Sequence, residues 1–331
     1  MTNKIFKNNV SVTVLVTSAS QREIALQTVN YYSQICSEVI FIDEQKPYLS
    51  ETEVNRLTLK GIRYIPYEFD SQKSLYNSPY QKRLVGANVS KNKYLVHSNH
   101  DERYTTLGLL ECVKELENNK ELSFCIGQAI AIRKNNSKIH FTRSYKNLSA
   151  YENINNTNQR LYYHAETYAP LAHYSVWRKQ SYIDVTKKTI EIHESLHSST
   201  ILEELIFELA ADIEGNSKAI PELFWIRNRI NPPTNTLTER GEHVFKIIQN
   251  KLEILFSDID DLKIEILMNS FRRHFTFVRP SYFERLIIFF KRNLRKIFKK
   301  KQIININSLL VDNKISYDKD DLSFVIESMT Q

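Results

Sequence analysis

Residues Val10 to Val16 read V-S-V-T-V-L-V, an almost unbroken aliphatic and β-branched run. A run of that kind is expected of a strand covered on both faces, in the interior of a sheet. It ends in Thr17-Ser18-Ala19-Ser20. From Gln21 to Ser33 the spacing then turns helical, with Ile24, Leu26, Val29 and Tyr32 on the apolar side. A second buried strand, Val39 to Ile42, stops at Asp43-Glu44, and a third, Ile62 to Ile65, is closed by Pro66, a residue that cannot continue an interior ladder. A helix over Ser78 to Ser90 leads into the strand Tyr94-Leu95-Val96. Strands alternating with helices predict an α/β fold, a mostly parallel sheet joined by right-handed crossovers and flanked by helices.

The fourth strand runs directly into Asn99-His100-Asp101-Glu102, oxygen and nitrogen donors on consecutive residues. Open α/β sheets bind ligands beyond the carboxyl ends of their strands, so this stretch is the leading candidate for a site. The same residues also suit a surface turn or a helix N-cap. Beyond it the sequence predicts a helix over Thr106 to Asn118, a strand over Leu122 to Arg133 with a hairpin partner at Lys138 to Arg143, and a long loop from Tyr145 to Gln159. A helix over Ser199 to Glu214 begins at a Ser-Ser-Thr cluster and ends at Gly215, and Ala219 to Trp225 closes the first region. Asn231-Pro232-Pro233 marks a boundary, giving an α/β domain over 1–230 and a helical C-terminal extension over 231–331. Within the extension, Glu242 to Arg273 is helical. Residues 281–301 form a basic amphipathic helix with Phe283, Leu286, Ile287, Phe290, Leu294, Ile297 and Phe298 on one face. Such a helix suits an anionic membrane surface, and equally a docking face on the domain.

Composition removes several classes. Only six glycines occur in 331 residues, and neither G-x-G-x-x-G nor a phosphate-cradling glycine loop is present, so glycine-loop nucleotide binding is disfavoured. The net charge of +7 is concentrated between Arg279 and Lys301 and points to an anionic partner for that segment. Cys36, Cys112 and Cys125 are too widely spaced for a zinc site and suit a reducing compartment. The polar stretch Met1 to Asn9 has no apolar signal core, and no run of apolar residues is long enough to span a bilayer. These features place the chain in the cytoplasm, peripheral on the inner face of the cell membrane through 281–301.

Three blocks in order resemble family 2-like bacterial glycosyltransferases of the GT-A fold, of the surface-polysaccharide type. Val12 to Arg22 is similar to the family's opening strand and T-x-N-R turn, Val39 to Glu44 to its V-I-V-V-D-D strand, and Lys93 to Tyr104 stands where the family has its Asp-x-Asp motif. Leu202-Glu203-Glu204-Leu205, with Gly215 and Pro221 downstream, looks like the family's E-D helix. The chain departs from the pattern at Asn99, where an Asp is usual, and at Glu203-Glu204, where Glu-Asp is usual.

The resemblance implies a Rossmann-type GT-A sheet and transfer of a sugar from a nucleotide-diphosphate donor to a glycan or lipid-linked acceptor, as in capsule or O-antigen synthesis. Asp43 would read the base, Thr17, Ser18 and Arg22 would contact the nucleotide, and Arg83 would pair with phosphate. Asp101 would ligate Mg²⁺ or Mn²⁺ with Asn99 or His100 beside it, a hard cation being suited to oxygen donors and phosphates. Glu204, with Glu203 as the fallback, would be the general base for the acceptor hydroxyl, and one base with direct displacement implies inversion. His173, Trp177 and Arg178 fall where the family contacts its acceptor, and Tyr162-Tyr163-His164 is a further candidate lining. His193 and His197 are spaced i, i+4 but lack the glutamate of H-E-x-x-H, so they are incidental or acceptor contacts.

Two other readings compete. A sugar nucleotidyltransferase would carry a glycine-rich loop after the first strand, where Thr17 to Arg22 has none. A non-catalytic sugar- or nucleic-acid-binding protein would use the basic segment on phosphate backbone. The helical recurrence of aromatics there suits a membrane better than base stacking, so no nucleic acid is expected as a partner.

Overall fold

Strand β1 (Val10–Ser18) pairs in parallel with β2 (Cys36–Asp43) on one side and β4 (Tyr94–Asn99) on the other, and β3 (Ile62–Pro66) extends the ladder beyond β2. In this computed structural model the described residues are 10–18, 21–68, 79–135, 138–145, 148, 154–167, 169, 171–194, 200–228 and 306–330, with isolated positions between 255 and 269. Helices α1 (Arg22–Tyr32), α2 (Glu51–Leu59) and α3 (Pro79–Val89) connect the four strands. Val12, Val14, Leu15, Val16, Ile40, Phe41, Ile42, Leu95 and Val96 are fully buried, as the two-sided apolar runs require. Helix α2 opens with a reciprocal cap. The Ser50 hydroxyl accepts from the Glu53 backbone N–H, and the Glu53 carboxylate accepts from the Ser50 N–H at 2.8 Å, which satisfies two orphan donors of the first turn.

The second half of the sheet is mixed. It comprises β5 (Glu102–Tyr104), β6 (Leu122–Asn135), β7 (Lys138–Ser144), β8 (Val176–Arg178) and β9 (Asn216–Asn228). The strand order is β3-β2-β1-β4-β8-β6-β9-β5, with β7 on β6. Helices α4 (Thr106–Asn118), α5 (Thr157–Thr167), α6 (Lys179–Glu194) and α7 (Thr200–Glu214) complete this half. Gly108 on α4 lets that helix meet β9 backbone to backbone, since a Cβ there would lie 2.6 Å from the Phe224 Cα and 2.7 Å from the Leu223 carbonyl.

Strand directions decide where the ends point. Strand β8 is antiparallel to both β4 and β6, and β6 is parallel to β9. Hence β1, β2, β4, β6 and β9 all finish at one edge. The strand order also forces a curl. In a flat sheet β5 would stand four strand spacings, roughly 19 Å, from β4, but only His100 and Asp101 separate them, a reach of about 11 Å. The sheet therefore bends until β5 lies back over the end of β4, where Tyr104 Oη donates to the His97 carbonyl at 2.6 Å and Ser98 Oγ to the Glu102 carbonyl at 3.3 Å.

Residues 306–330 return to this body as α8 (Ile306–Asp312) and α9 (Lys319–Thr330). Leu310, Leu322 and Val325 join the common core, Ser316 bridges to Glu222 beside β9, and Phe324 stacks on Tyr31 with ring centroids 5.2 Å apart. The Asp321 carboxylate accepts from the Leu107 N–H at 2.9 Å, so a side chain from the end of the sequence serves the first turn of α4. No helix among the described residues is long and apolar enough to cross a membrane. The basic helix expected over 281–301 lies outside the described residues, as does nearly all of the helix expected over Glu242 to Arg273.

Trp177 and Arg178 belong to the framework, which corrects the expectation that they meet an acceptor. Trp177 is fully buried, stacks on Phe124 at 4.4 Å and donates its indole N–H to the Ala172 carbonyl at 2.6 Å. Arg178 pairs with Tyr94, at the amino end of β4, and gives its guanidinium to the carbonyls of Leu122, Leu116 and Asn119. Because β8 is antiparallel to β4, the residues just before it, and not those at its end, stand at the carboxyl edge.

Candidate active site

The carboxyl edge of the parallel half-sheet gathers a row of polar residues by register alone. Ser18 pairs with Asp43, and Thr17 pairs with Asn99. Each is the last or next-to-last residue of its strand, where the apolar run gives way. Asp43 is fully buried and multiply held: Arg22 Nε donates to its carboxylate at 2.6 Å, Tyr64 Oη at 3.2 Å and the Gln45 N–H at 3.2 Å. Arg22, one residue into α1, also donates to the Gln45 carbonyl. The side chain anticipated to read a base thus fixes the guanidinium anticipated to face the nucleotide. That pairing joins residues 21 apart and has no signature in either local motif.

A layer of rings supports the row from below. His97 is fully buried with its Nε2 3.2 Å from Thr17 Oγ1, and its ring lies 5.5 Å from that of His173. Burial holds both histidines well below the usual imidazole range, and the nearby Arg83 guanidinium adds to the effect. Arg83 is buried, lies 4.4 Å over the Tyr80 ring and approaches His173 Nδ1 at 3.3 Å, while its Nε has no hydrogen-bond partner among the described residues. On the same helix Lys82 pairs with Glu44 at 2.7 Å.

The turn after β4 divides its four donors among different tasks. Asn99 donates to Tyr174 Oη at 3.2 Å, and His100 Nε2 lies 2.6 Å from Gln21 Oε1. Glu102 is buried, accepting from the Trp225 indole at 3.1 Å and from Arg227 Nε at 3.3 Å. Asp101 is half-buried and makes no hydrogen bond or ion pair among the described residues. No group of three or more His, Cys, Asp or Glu side chains is arranged to hold a metal ion among the described residues. One available carboxylate therefore fits a hard cation that draws most of its oxygen ligands from a bound diphosphate and water, and does not fit an all-protein cage.

Helix α7 supplies the acidic wall. Glu203 is buried, and Glu204 is half-buried. The charge of Glu204 raises the Tyr174 hydroxyl pKa, after burial and Glu102. One turn further, Glu208 accepts from the backbone N–H groups of Ala172 and His173 at 2.9 and 2.8 Å. Burial pushes its carboxyl up to about 8. His164 lies against Asp212 at 2.7 Å. Burial opposes its charge, but Asp212 and then Glu208 outweigh that and raise its pKa. His164 is therefore part of a buried polar network, which corrects its assignment to a cleft lining; its neighbours Tyr162 and Tyr163 are half-buried. His193 lies on α6, and His197 is outside the described residues.

Tyr174, Trp225 and Arg227 complete the site and have no counterpart in the motif reading. Tyr174 stacks on Trp225 at 3.7 Å, Trp225 on Tyr145 at 5.6 Å, and the Arg227 guanidinium lies 4.6 Å over the Trp225 ring. The sequence signal was an aromatic–basic alternation in Phe224-Trp225-Ile226-Arg227, which alternates faces on a strand.

A parallel half-sheet with this polar carboxyl edge, joined to a mixed half with a helical wall, is a GT-A-like glycosyltransferase fold. Crystal structures of S. aureus TarS share it. TarS 1-349 matches with a TM-score of 0.53 at 13% identity, over 96% of this chain and 81% of that one. The complex of TarS 1-349 with UDP-GlcNAc gives 0.56 at 14%, over 83% and 75%, and the UDP complex gives 0.53 at 14%, over 83% and 74%. In a longer TarS structure the match spans 44% of that chain. No family model matches the sequence, and no curated protein does.

Proposed function

We propose that the protein is a glycosyltransferase that uses a nucleotide-diphosphate sugar. The observation that carries this reading is the polar carboxyl edge where Ser18 pairs with Asp43 and Thr17 with Asn99, set by strand register, with Asp101 on the turn beyond it. A fold shared with structures solved around UDP-GlcNAc and UDP supports it.

In this reading Thr17, Ser18 and Arg22 hold the nucleotide, and Asp43 sets the position of Arg22 as well as reading the base. Arg83, with its unmatched Nε, and His100 face the diphosphate. Asp101, with Asn99 beside it, would hold Mg²⁺ or Mn²⁺, which when bound offsets the charge of the departing diphosphate. Glu204 removes the proton of the acceptor hydroxyl, a role that needs a carboxylate within hydrogen-bond reach, and Glu203 is the alternative. One base acting on an attacking hydroxyl gives inversion. The acceptor is a glycan or lipid-linked glycan of a surface polysaccharide, and residues 281–301 hold the protein to the inner face of the membrane.

The test is hydrolysis of UDP-sugars with and without EDTA. Asp101→Ala and Glu204→Ala should each lower turnover about a hundredfold or more while leaving the melting temperature close to the parent's. Turnover equal to the parent's in either variant removes that residue from the chemistry.

A further inference from the structure

A cleft of about 510 Å³ opens where β6 and β9 approach the carboxyl edge beside β7, and its lining residue Arg227 pairs with Glu102, the neighbour of Asp101. Its walls include Ala131, Arg133, Thr142, Arg143, Tyr145 and Arg227, and no carboxylate among the described residues. The floor follows from register: Arg227 pairs with Ala131, and Ala131 with Thr142. Small side chains there leave room between arginines at the margins.

The three arginines differ in how their charge is met. Arg227 is balanced by Glu102 at 3.3 Å. Among the described residues Arg143 donates to two amide oxygens, Gln128 Oε1 at 2.9 Å and Asn313 Oδ1 at 3.2 Å, and its buried Nε has no partner. Arg133 is exposed, with no ion pair among the described residues. Two positive charges therefore face a concave surface without a counter-charge of their own among the described residues, where the field on an entering anion is strongest. The cleft also communicates with the site: Arg227, Trp225 and Tyr174 form a continuous stack that ends on Asn99.

We propose that this cleft binds an anionic group of the acceptor, a phosphate ester or a sugar carboxylate, through Arg133 and Arg143. Guanidinium forks match both groups in geometry and in charge. The assignment rests on the transferase reading, because the bound group belongs to the acceptor of that reaction.

Binding to the full-length protein is measured by calorimetry for a short glycerol phosphate oligomer, a short galacturonate oligomer, maltohexaose and a short single-stranded DNA, with UDP and MnCl₂ titrated separately. At least one anionic glycan should bind well above maltohexaose. Arg133→Gln, at an exposed position, should weaken it about tenfold, and Arg133→Gln with Arg143→Gln further, with UDP binding unchanged. The tighter of the two anionic probes identifies the group. Equal binding of maltohexaose, indifference to both variants, or tighter arginine-dependent binding of DNA overturns the proposal. The UDP arm is independent. Silent UDP with an arginine-dependent anion overturns the transferase reading and the acceptor assignment, while good UDP binding with an indifferent cleft overturns the cleft alone.

Discussion

The two halves of the sheet are stabilised differently. In β3-β2-β1-β4 the core is a continuous layer of valines, leucines and isoleucines contributed by strands that run the same way. In β8-β6-β9-β5 the strands change direction, two of them are only three residues long, and single large rings fill the space: Trp177 on Phe124, and Trp225 between Tyr174 and Tyr145. Many small interchangeable contacts tolerate the loss of one. A few large ones do not.

The widest separation between the halves should appear on truncating their cores. Trp177→Ala should cost about 3–5 kcal/mol and Ile40→Val only about 0.5–1.5 kcal/mol, read from urea unfolding midpoints. Similar costs at both positions would erase the contrast. Next in size is a pH effect in the mixed half. Glu208 holds its proton up to about 8 in the fold, against 4.5 for an ordinary glutamate, so the folded state binds more protons than the unfolded chain between those values. The stability this group contributes is full below about 4.5 and is lost as pH rises through about 8. Glu208→Gln should therefore gain in melting temperature relative to the parent as pH rises across that window, and parallel curves would show the group does not titrate there. The smallest effect belongs to the parallel half, where Ser50→Ala removes a cap on α2 and should cost about 1 kcal/mol without changing nucleotide binding.

The same contrast explains what the sequence revealed. Helices α1 and α3 and the strands around them follow from apolar spacing within short windows, and Thr106 to Asn118 was legible to the residue. The three-residue strands β5 and β8 were not, because their pairing is fixed by partners more than a hundred or more than fifty residues away, such as Glu102 with Arg227 and Trp177 with Phe124. For the site, strand ends mark Thr17, Ser18, Asp43 and Asn99 locally. The link from Arg22 to Asp43, the stack of Tyr174 on Trp225 and the service of Asp321 to α4 arise only after the chain has folded on itself. Trp177 illustrates the reverse error: an aromatic in the right place along the chain, yet carried away from the carboxyl edge because its strand runs opposite to its neighbours.

The turn of His100 and Asp101 has one foot in each half, on β4 and on β5. Its length is thus a ruler for the gap between them. A change in the spacing of the halves would therefore be felt at this carboxylate, which sits on the two-residue link between them.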